Sequence, residues 1–192
     1  MKSILKGAVF KHQNVDYPIY PKRSGHYVNI LEGIHQQMSA MISHHSRITV
    51  IWFTIRCHNY TEDSKWLSRL IEKLKRALKR KYKMNQIGHT WAREQETSDT
   101  QHYHTAFMLD GNKVRRAKEF INRLQKMCDE WGLPVAWIPD NCYYQIDRGD
   151  NTAFANCFKR LAYCAKVKGK GKKGITCNDY STSRVKLLSK CK

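Results

Sequence analysis

The sequence predicts an α+β fold, an antiparallel sheet of about five strands with flanking helices. Three observations predict it. Residues 48–57, ITVIWFTIRC, form an unbroken β-branched and aromatic run, as a strand buried on both faces requires. Two further strand-like runs, 88–96 and 102–109, are separated by the turn-forming TSDTQ. Helical periodicities fall between the strands, giving the order β-α-β-β-α-β-(β)-α with one helix in front. That order suits a ferredoxin-like or RNA-recognition-like plan. The 192 residues, 41% hydrophobic and including five Trp, suffice for one domain with a real core.

Taken in order, residues 1–26 are mixed, contain Pro18 and Pro21, and read as an irregular arm. Val28, Leu31, Ile34, Met38, Met41 and Ile42 recur at helical spacing, so a helix is expected over 27–43. After the strand at 48–57, Thr61 or Asp63 caps a helix over 63–83. Its apolar positions are Leu67, Leu70, Ile71, Leu74, Leu78 and Tyr82, and its other face is dense in Lys and Arg. Such a face is either solvated or meets phosphate. Asp110-Gly111-Asn112 ends the strand 102–109. A helix follows over 113–130, stopped by Gly132-Leu133-Pro134. Short strands are expected at 135–138 and 142–146, and a last helix at 152–167. KVKGKGKKG then reads as a flexible basic segment. The chain thus divides into an N-terminal arm and helix (1–46), a principal domain (47–168) and a basic, partly flexible C-terminal tail (169–192).

Thirty-five Lys and Arg against sixteen Asp and Glu give a net charge of +19, which points to a polyanionic partner. No apolar run reaches eighteen residues, so no membrane partner is expected. The N-terminus is too short in apolar residues for a signal peptide, so a cytoplasmic setting is expected. The seven cysteines lack any CxxC pair and sit mostly in apolar patterns. They read as reduced thiols, and zinc chemistry is disfavoured. No GxxxxGK[ST] occurs, so no nucleotide cofactor is expected.

Chemistry gathers around QHYHTAFMLDG. His102 and His104 are i and i+2 on a strand, so both imidazoles project from one face. The preceding strand ends in Glu94 and Glu96. A short hairpin would set 94 opposite 104 and 96 opposite 102, all on that face. Two imidazoles and a carboxylate suit Mg²⁺ or Mn²⁺ acting on phosphate, with Glu94 or Glu96 as the third ligand. The bland alternative is an ordinary cross-strand Glu–His pair. On the last helix, Phe154, Phe158, Leu161 and Ala165 make the buried stripe, and Tyr163 falls about 180° away from it. Lys159 and Lys166 flank Tyr163 at i−4 and i+3. Two ammonium groups beside a phenol favour the phenolate and an incoming phosphate. Alone, the residue would be a plain surface tyrosine.

Trp52-Phe53-Thr54, His102-Tyr103-His104 and Tyr163-Cys164-Ala165-Lys166 occur in that order. Together they resemble the three motifs of the HUH endonuclease superfamily: an apolar strand ending near F-T, His-hydrophobic-His, and Y-x-x-K. More closely, WAREQ, HYHTAFML, YCAKV and a late Ser-Thr-Ser-Arg resemble the inovirus-type replication proteins of phages, prophages and satellite elements, the YagK/YfjJ C-terminal domain family. The resemblance covers about residues 48–185. It implies an HUH endonuclease fold over 47–168 and a rolling-circle replication initiator with one nucleophilic tyrosine. His102 and His104 would bind the metal, Glu94 would be its third ligand with Glu96 as rival, and Tyr163 would attack a DNA phosphate. Lys166 would polarise the site. Arg93, Lys159, Arg160, Lys168 and Lys170 are the candidate DNA contacts. Single-stranded DNA or an origin hairpin would be the substrate, with a bacterial host's helicase and polymerase as partners. Tyr103 departs from the family by its bulk, and Tyr143 and Tyr144 are rival nucleophiles by type. Two other readings remain. One is a non-catalytic single-stranded nucleic-acid-binding module, stacking bases on Trp52, Phe53, Trp91, Tyr103 and Phe107. The other is an origin-binding regulator that does not cut.

Overall fold

Gln13 and Asn14 both adopt left-handed backbone, with φ of 47° and 63°, and this two-residue turn folds the N-terminal arm back on itself. In the computed structural model, which describes residues 3–133, 136–175 and 177–189, the arm is therefore not irregular. It holds β1 (Ile4–Leu5), β2 (Val9–His12), β3 (Val15–Pro18) and β4 (His26–Tyr27). β2 and β3 form the hairpin, and β1 pairs with β4. α1 (Val28–His44) follows and buries Leu31, Ile34, Met38 and Met41, the stripe its periodicity marks.

β5 (Arg47–Arg56) is the central strand, with every residue from Ile48 to Ile55 buried. α2 (Lys65–Tyr82), β6 (Gly88–Glu94), β7 (His102–Asp110), α3 (Lys118–Glu130), β8 (Tyr143–Asp147) and α4 (Asn151–Leu161) complete the expected order. A 3₁₀ turn, Ala162–Ala165, continues α4, and β9 (Tyr180–Thr182) closes the chain's elements. The sheet is antiparallel and five-stranded, in the order β8-β5-β7-β6-β9. Its first four strands have the arrangement of a split β-α-β. β9 is an edge strand within 169–192, the segment expected to be a basic, partly flexible tail.

Alternation divides the sheet into two buried faces. Ile51, Phe53, Ile55, Tyr103 and Phe107 pack under α2 and α3. Val50, Trp52, Ala106 and Met108 pack under α1 and α4. A Cβ at Gly88 would lie 2.8 Å from Met41 Cγ, so α1 approaches β6 this closely only because that position lacks a side chain.

Four boundaries differ from expectation for local reasons. The helix after β7 starts at Lys118, not 113. Asp110 accepts from Asn112 N through its side chain and from Lys113 N and Val114 N through its carbonyl, while Thr49 Oγ1 donates to Val114 O. These bonds hold residues 111–114 in a turn against the sheet. α2 begins after Ser64, although Asp63 does accept from Lys65 N at 3.0 Å. The strand expected at 135–138 reduces to one bridge between Trp137 and Thr54; Pro134 and Val135 lie outside the described residues. The last helix ends at Leu161, not 167, and tightens into the 3₁₀ turn that carries Tyr163. Among the described residues no helix is long and apolar enough to cross a membrane.

Two buried imidazoles make stability depend on pH. Burial, with His12 adding to it, lowers His35 to about 4; burial, with Lys75 beside it, lowers His89 to about 4. Both fall below the unfolded value near 6.5, so the unfolded chain takes up protons first as the pH drops. Stability should be full above pH ~6.5 and fall as the pH approaches 4, by up to about 3 kcal/mol per histidine. Urea unfolding at stepped pH checks this, and His35→Phe, which keeps an aromatic ring beside Tyr17 and Phe158, should flatten the slope.

Candidate metal centre and nucleophile

β6 and β7 set the register of the site. Glu94 pairs with His102, and Ala92 with His104. The short hairpin predicted from the sequence, with 94 opposite 104, is corrected by one residue pair. β6 stops at Glu94 because Gln95 leaves the ladder: its N–H donates to Gly169 O, and its Nε2 donates to Ser98 O and Asp99 O. Both registers keep Glu94 on the imidazole face, so the triad survives the slip. Glu96 does not, since it lies beyond the strand and binds Lys166 at 2.6 Å and Lys168 at 3.1 Å.

The Glu94 side chain is fully buried, with Oε2 3.4 Å from His104 Nε2 and 3.8 Å from His102 Nε2. The ligand atoms of Glu94, His102 and His104 all lie within 4.8 Å of one another. His104 Nε2 and Glu94 Oε2 are buried without a hydrogen-bond partner, although Lys166 Nζ stands 2.9 Å from that oxygen, off hydrogen-bond alignment. Orphaned donor atoms of this kind fit a cation, and these three residues could hold a divalent metal ion. His104 Nδ1 meets Thr54 Oγ1 at 2.9 Å. If the ring donates there, Nε2 keeps its lone pair for the centre. Trp52 stacks on the same ring at 5.3 Å.

Electrostatics supports the ligand forms. Burial alone would raise the Glu94 carboxyl, but the adjoining His104 imidazole and the charge of Lys170 hold it at about 2. Burial and its neighbour His104 lower His102 to about 4, so its imidazole is neutral at pH 7. Burial opposes the charge on Lys166, yet hydrogen bonds to Glu96 and Tyr163 and the charge of Glu94 raise it above its ordinary value.

The 3₁₀ turn delivers Tyr163 to this centre. Its ring meets His104 edge-on at 5.2 Å, and its hydroxyl accepts from Lys166 Nζ at 2.9 Å. Lys166 thus touches both Tyr163 and Glu94. Lys159 does not flank Tyr163 as expected; its ammonium lies over the Tyr20 ring at 4.4 Å. Lys22 of the N-terminal arm takes that place, 5.0 Å over the Tyr163 ring, and nothing in its local sequence marked it. Thr54 was visible only as part of a motif, without a role.

The candidate DNA contacts separate. Lys168 is exposed beside Glu96, and Arg160 lies 5.8 Å over Trp52. Lys170 is buried on Glu94 at 3.0 Å. Arg93, 1% exposed, donates to the Thr61 and Asp63 carbonyls and to Tyr103 Oη. Those two are structural cations, because alternation and the folded tail put them inside. The aromatics of the stacking alternative, Trp52, Phe53, Trp91, Tyr103 and Phe107, are all buried, so the sheet offers no open platform there.

A family model for the YagK/YfjJ C-terminal domain matches residues 10–178. The chain belongs to the YagK/YfjJ C-terminal domain family. The match takes in the N-terminal hairpin, the Glu-His-His triad and Tyr163, and it stops short of β9. No curated protein and no solved structure matches this family member.

His102→Ala or His104→Ala should abolish Mn²⁺ binding measured by calorimetry, and Thr54→Val should weaken it about 10- to 100-fold by releasing the His104 ring. Glu94→Ala would leave Lys170 buried and unpaired and Lys166 with Glu96 as its one carboxylate. It should destabilise the fold by roughly 3–5 kcal/mol, read as a lower urea midpoint.

Proposed function

We propose that this protein is an HUH-type endonuclease and strand transferase that nicks and joins single-stranded DNA and initiates rolling-circle replication. One observation carries the reading: Lys166 Nζ lies 2.9 Å from both Tyr163 Oη and Glu94 Oε2. A nucleophile type, a cation and a metal-ligand set from three separate segments therefore meet at one point. A Mg²⁺ or Mn²⁺ ion held by Glu94, His102 and His104 would supply positive charge to polarise a phosphate oxygen.

The chain's own residues account for the rest. Lys166, kept charged by Glu96 and Glu94, donates to Tyr163 Oη and stabilises negative charge developing there. Tyr163 Oη attacks phosphorus and loses its proton to solvent. The new bond joins the tyrosine oxygen to phosphorus, and the bond from phosphorus to the 3′ oxygen breaks. That oxygen takes a proton and leaves as a free 3′-OH, while the 5′ side remains as a phosphotyrosine. Attack by a 3′-OH reverses the step without ATP, because the covalent link conserves the phosphodiester energy. An origin in single-stranded or hairpin form is the substrate; a bacterial host's helicase separates the strands and its polymerase extends the freed 3′ end. Phages, prophages and satellite elements are the settings for such an initiator.

Incubation with single-stranded circles of random sequence should yield a covalent adduct on a denaturing gel with Mn²⁺ or Mg²⁺ and none with EDTA. Tyr163→Phe should lose the adduct and retain DNA binding. An adduct formed by the Phe variant would overturn the assignment of the nucleophile.

A further inference from the structure

Trp137 is 57% exposed, and among the described residues no ring or cation covers it. A lone exposed apolar side chain is ordinary; its position is what singles this one out. Trp137 pairs with Thr54 in an antiparallel bridge, N to O at 2.8 and 3.0 Å. Directly opposed residues of such a pair send their side chains to one face. Thr54 meets His104 on the triad face, so Trp137 faces the same way. Alternation agrees, because Ala136 and Ile138 pack into the core of the opposite face. One row of side chains, Trp137, Thr54, His104, Ala92 and Tyr180, therefore crosses the sheet. Two strand spacings, about 10 Å, separate Trp137 from His104.

Beside the row, two residues from Thr54 along β5 and on the same face, Trp52 is 3% exposed, stacked on His104 and overlaid by Arg160. This face thus presents an open indole, a guanidinium over Trp52 and the candidate metal-ligand set. On this same face Lys159 covers the ring of Tyr20, itself 53% exposed. An uncovered aromatic beside cations is the combination that holds single-stranded nucleic acid: bases stack on the ring while phosphates meet the charges. Duplex bases are stacked on one another and offer no free face, which favours a single strand.

We propose that Trp137 stacks a nucleobase of single-stranded DNA next to the phosphate attacked by Tyr163, with Arg160, over the neighbouring Trp52, neutralising backbone charge. This rests on the nicking reading above and adds a positioning residue to it. Trp137→Ala should keep the fold, since the indole is exposed and the Thr54 bridge is made by backbone atoms; thermal melting by circular dichroism verifies that.

Fluorescence anisotropy with a labelled mixed-sequence oligonucleotide of about twenty nucleotides, in EDTA and across a salt series, reads the effect. Trp137→Ala should bind roughly 10- to 100-fold more weakly with an unchanged salt slope, and Trp137→Phe should restore most of the affinity. Arg160→Ala should instead reduce the slope by about one. In an abasic-site scan, the position that weakens the wild type should have no effect in Trp137→Ala. Unchanged affinity in Trp137→Ala, alongside a normal adduct, would overturn the stacking role and leave the nicking reading standing. An equal loss on the same sequence as duplex would also overturn it. Absence of both single-strand binding and adduct in the wild type would overturn the two together.

Discussion

A fully buried carboxylate organises this molecule. Glu94 has no exposed side-chain surface, and an ionised group so placed is tolerated only when opposite charge and hydrogen bonds replace its lost water. Two lysines, Lys166 and Lys170, and two imidazoles do so. Both lysines come from the segment after α4, so satisfying Glu94 draws that segment across β6. Gly169 then accepts from Gln95 N, Asp179 O accepts from Arg93 N, and β9 adds to the sheet beside β6. Gly169 can sit there because its φ of 88° is one that residues with a side chain rarely adopt. What composition marks as a loose basic tail is the wall of the site.

The sheet keeps chemistry and structure on separate sides through its two-residue period. His102 and His104 project toward α1 and the 3₁₀ turn, while Tyr103 between them projects toward α2. There its hydroxyl meets Ser64 Oγ at 2.9 Å and Arg93 at 3.1 Å, and its ring packs edge-on against Trp66 and Trp91. The bulk of Tyr103 therefore costs the imidazole pair nothing, because the two never share a face. Arg93 and Glu94 divide in the same way, one locking the α2 loop by carbonyl hydrogen bonds and the other anchoring the triad.

Much of this was legible in the sequence, because the strongest signals were periodic. The β5 run, the α1 and α2 stripes and the i, i+2 histidines follow from local geometry. The register slip between β6 and β7 was not legible, since it depends on Gln95 bonding to Ser98, Asp99 and the distant Gly169. Face identity survived because the slip moved a whole residue pair. Tyr163 was placed on the correct side of its helix by a periodicity that does not reach it: the α-helix ends at Leu161, and the 3₁₀ turn carries the ring onward to His104. Its flanking cation was misassigned for the same reason. The hairpin turn at Gln13-Asn14 and the three-residue β9 were too short to leave a pattern.

Charge at the centre decides what it is suited to meet. Lys166, Lys168 and Lys170 face Glu94 and Glu96, three ammonium groups against two carboxylates, which leaves one net positive charge before Lys22 and Arg160 are considered. Had the carboxylates outnumbered the lysines, the pocket would repel a phosphodiester. His102 adds no charge, because burial keeps its imidazole neutral at pH 7, so its lone pair is available to a cation. The excess is also unevenly placed. Lys170 is locked on Glu94, whereas Lys168 reaches solvent and Lys166 spans from the carboxylates to Tyr163 Oη. Positive potential is therefore delivered where the phenol meets the open side of the site, and the same lysine that satisfies the buried carboxylate holds the tyrosine in line with it.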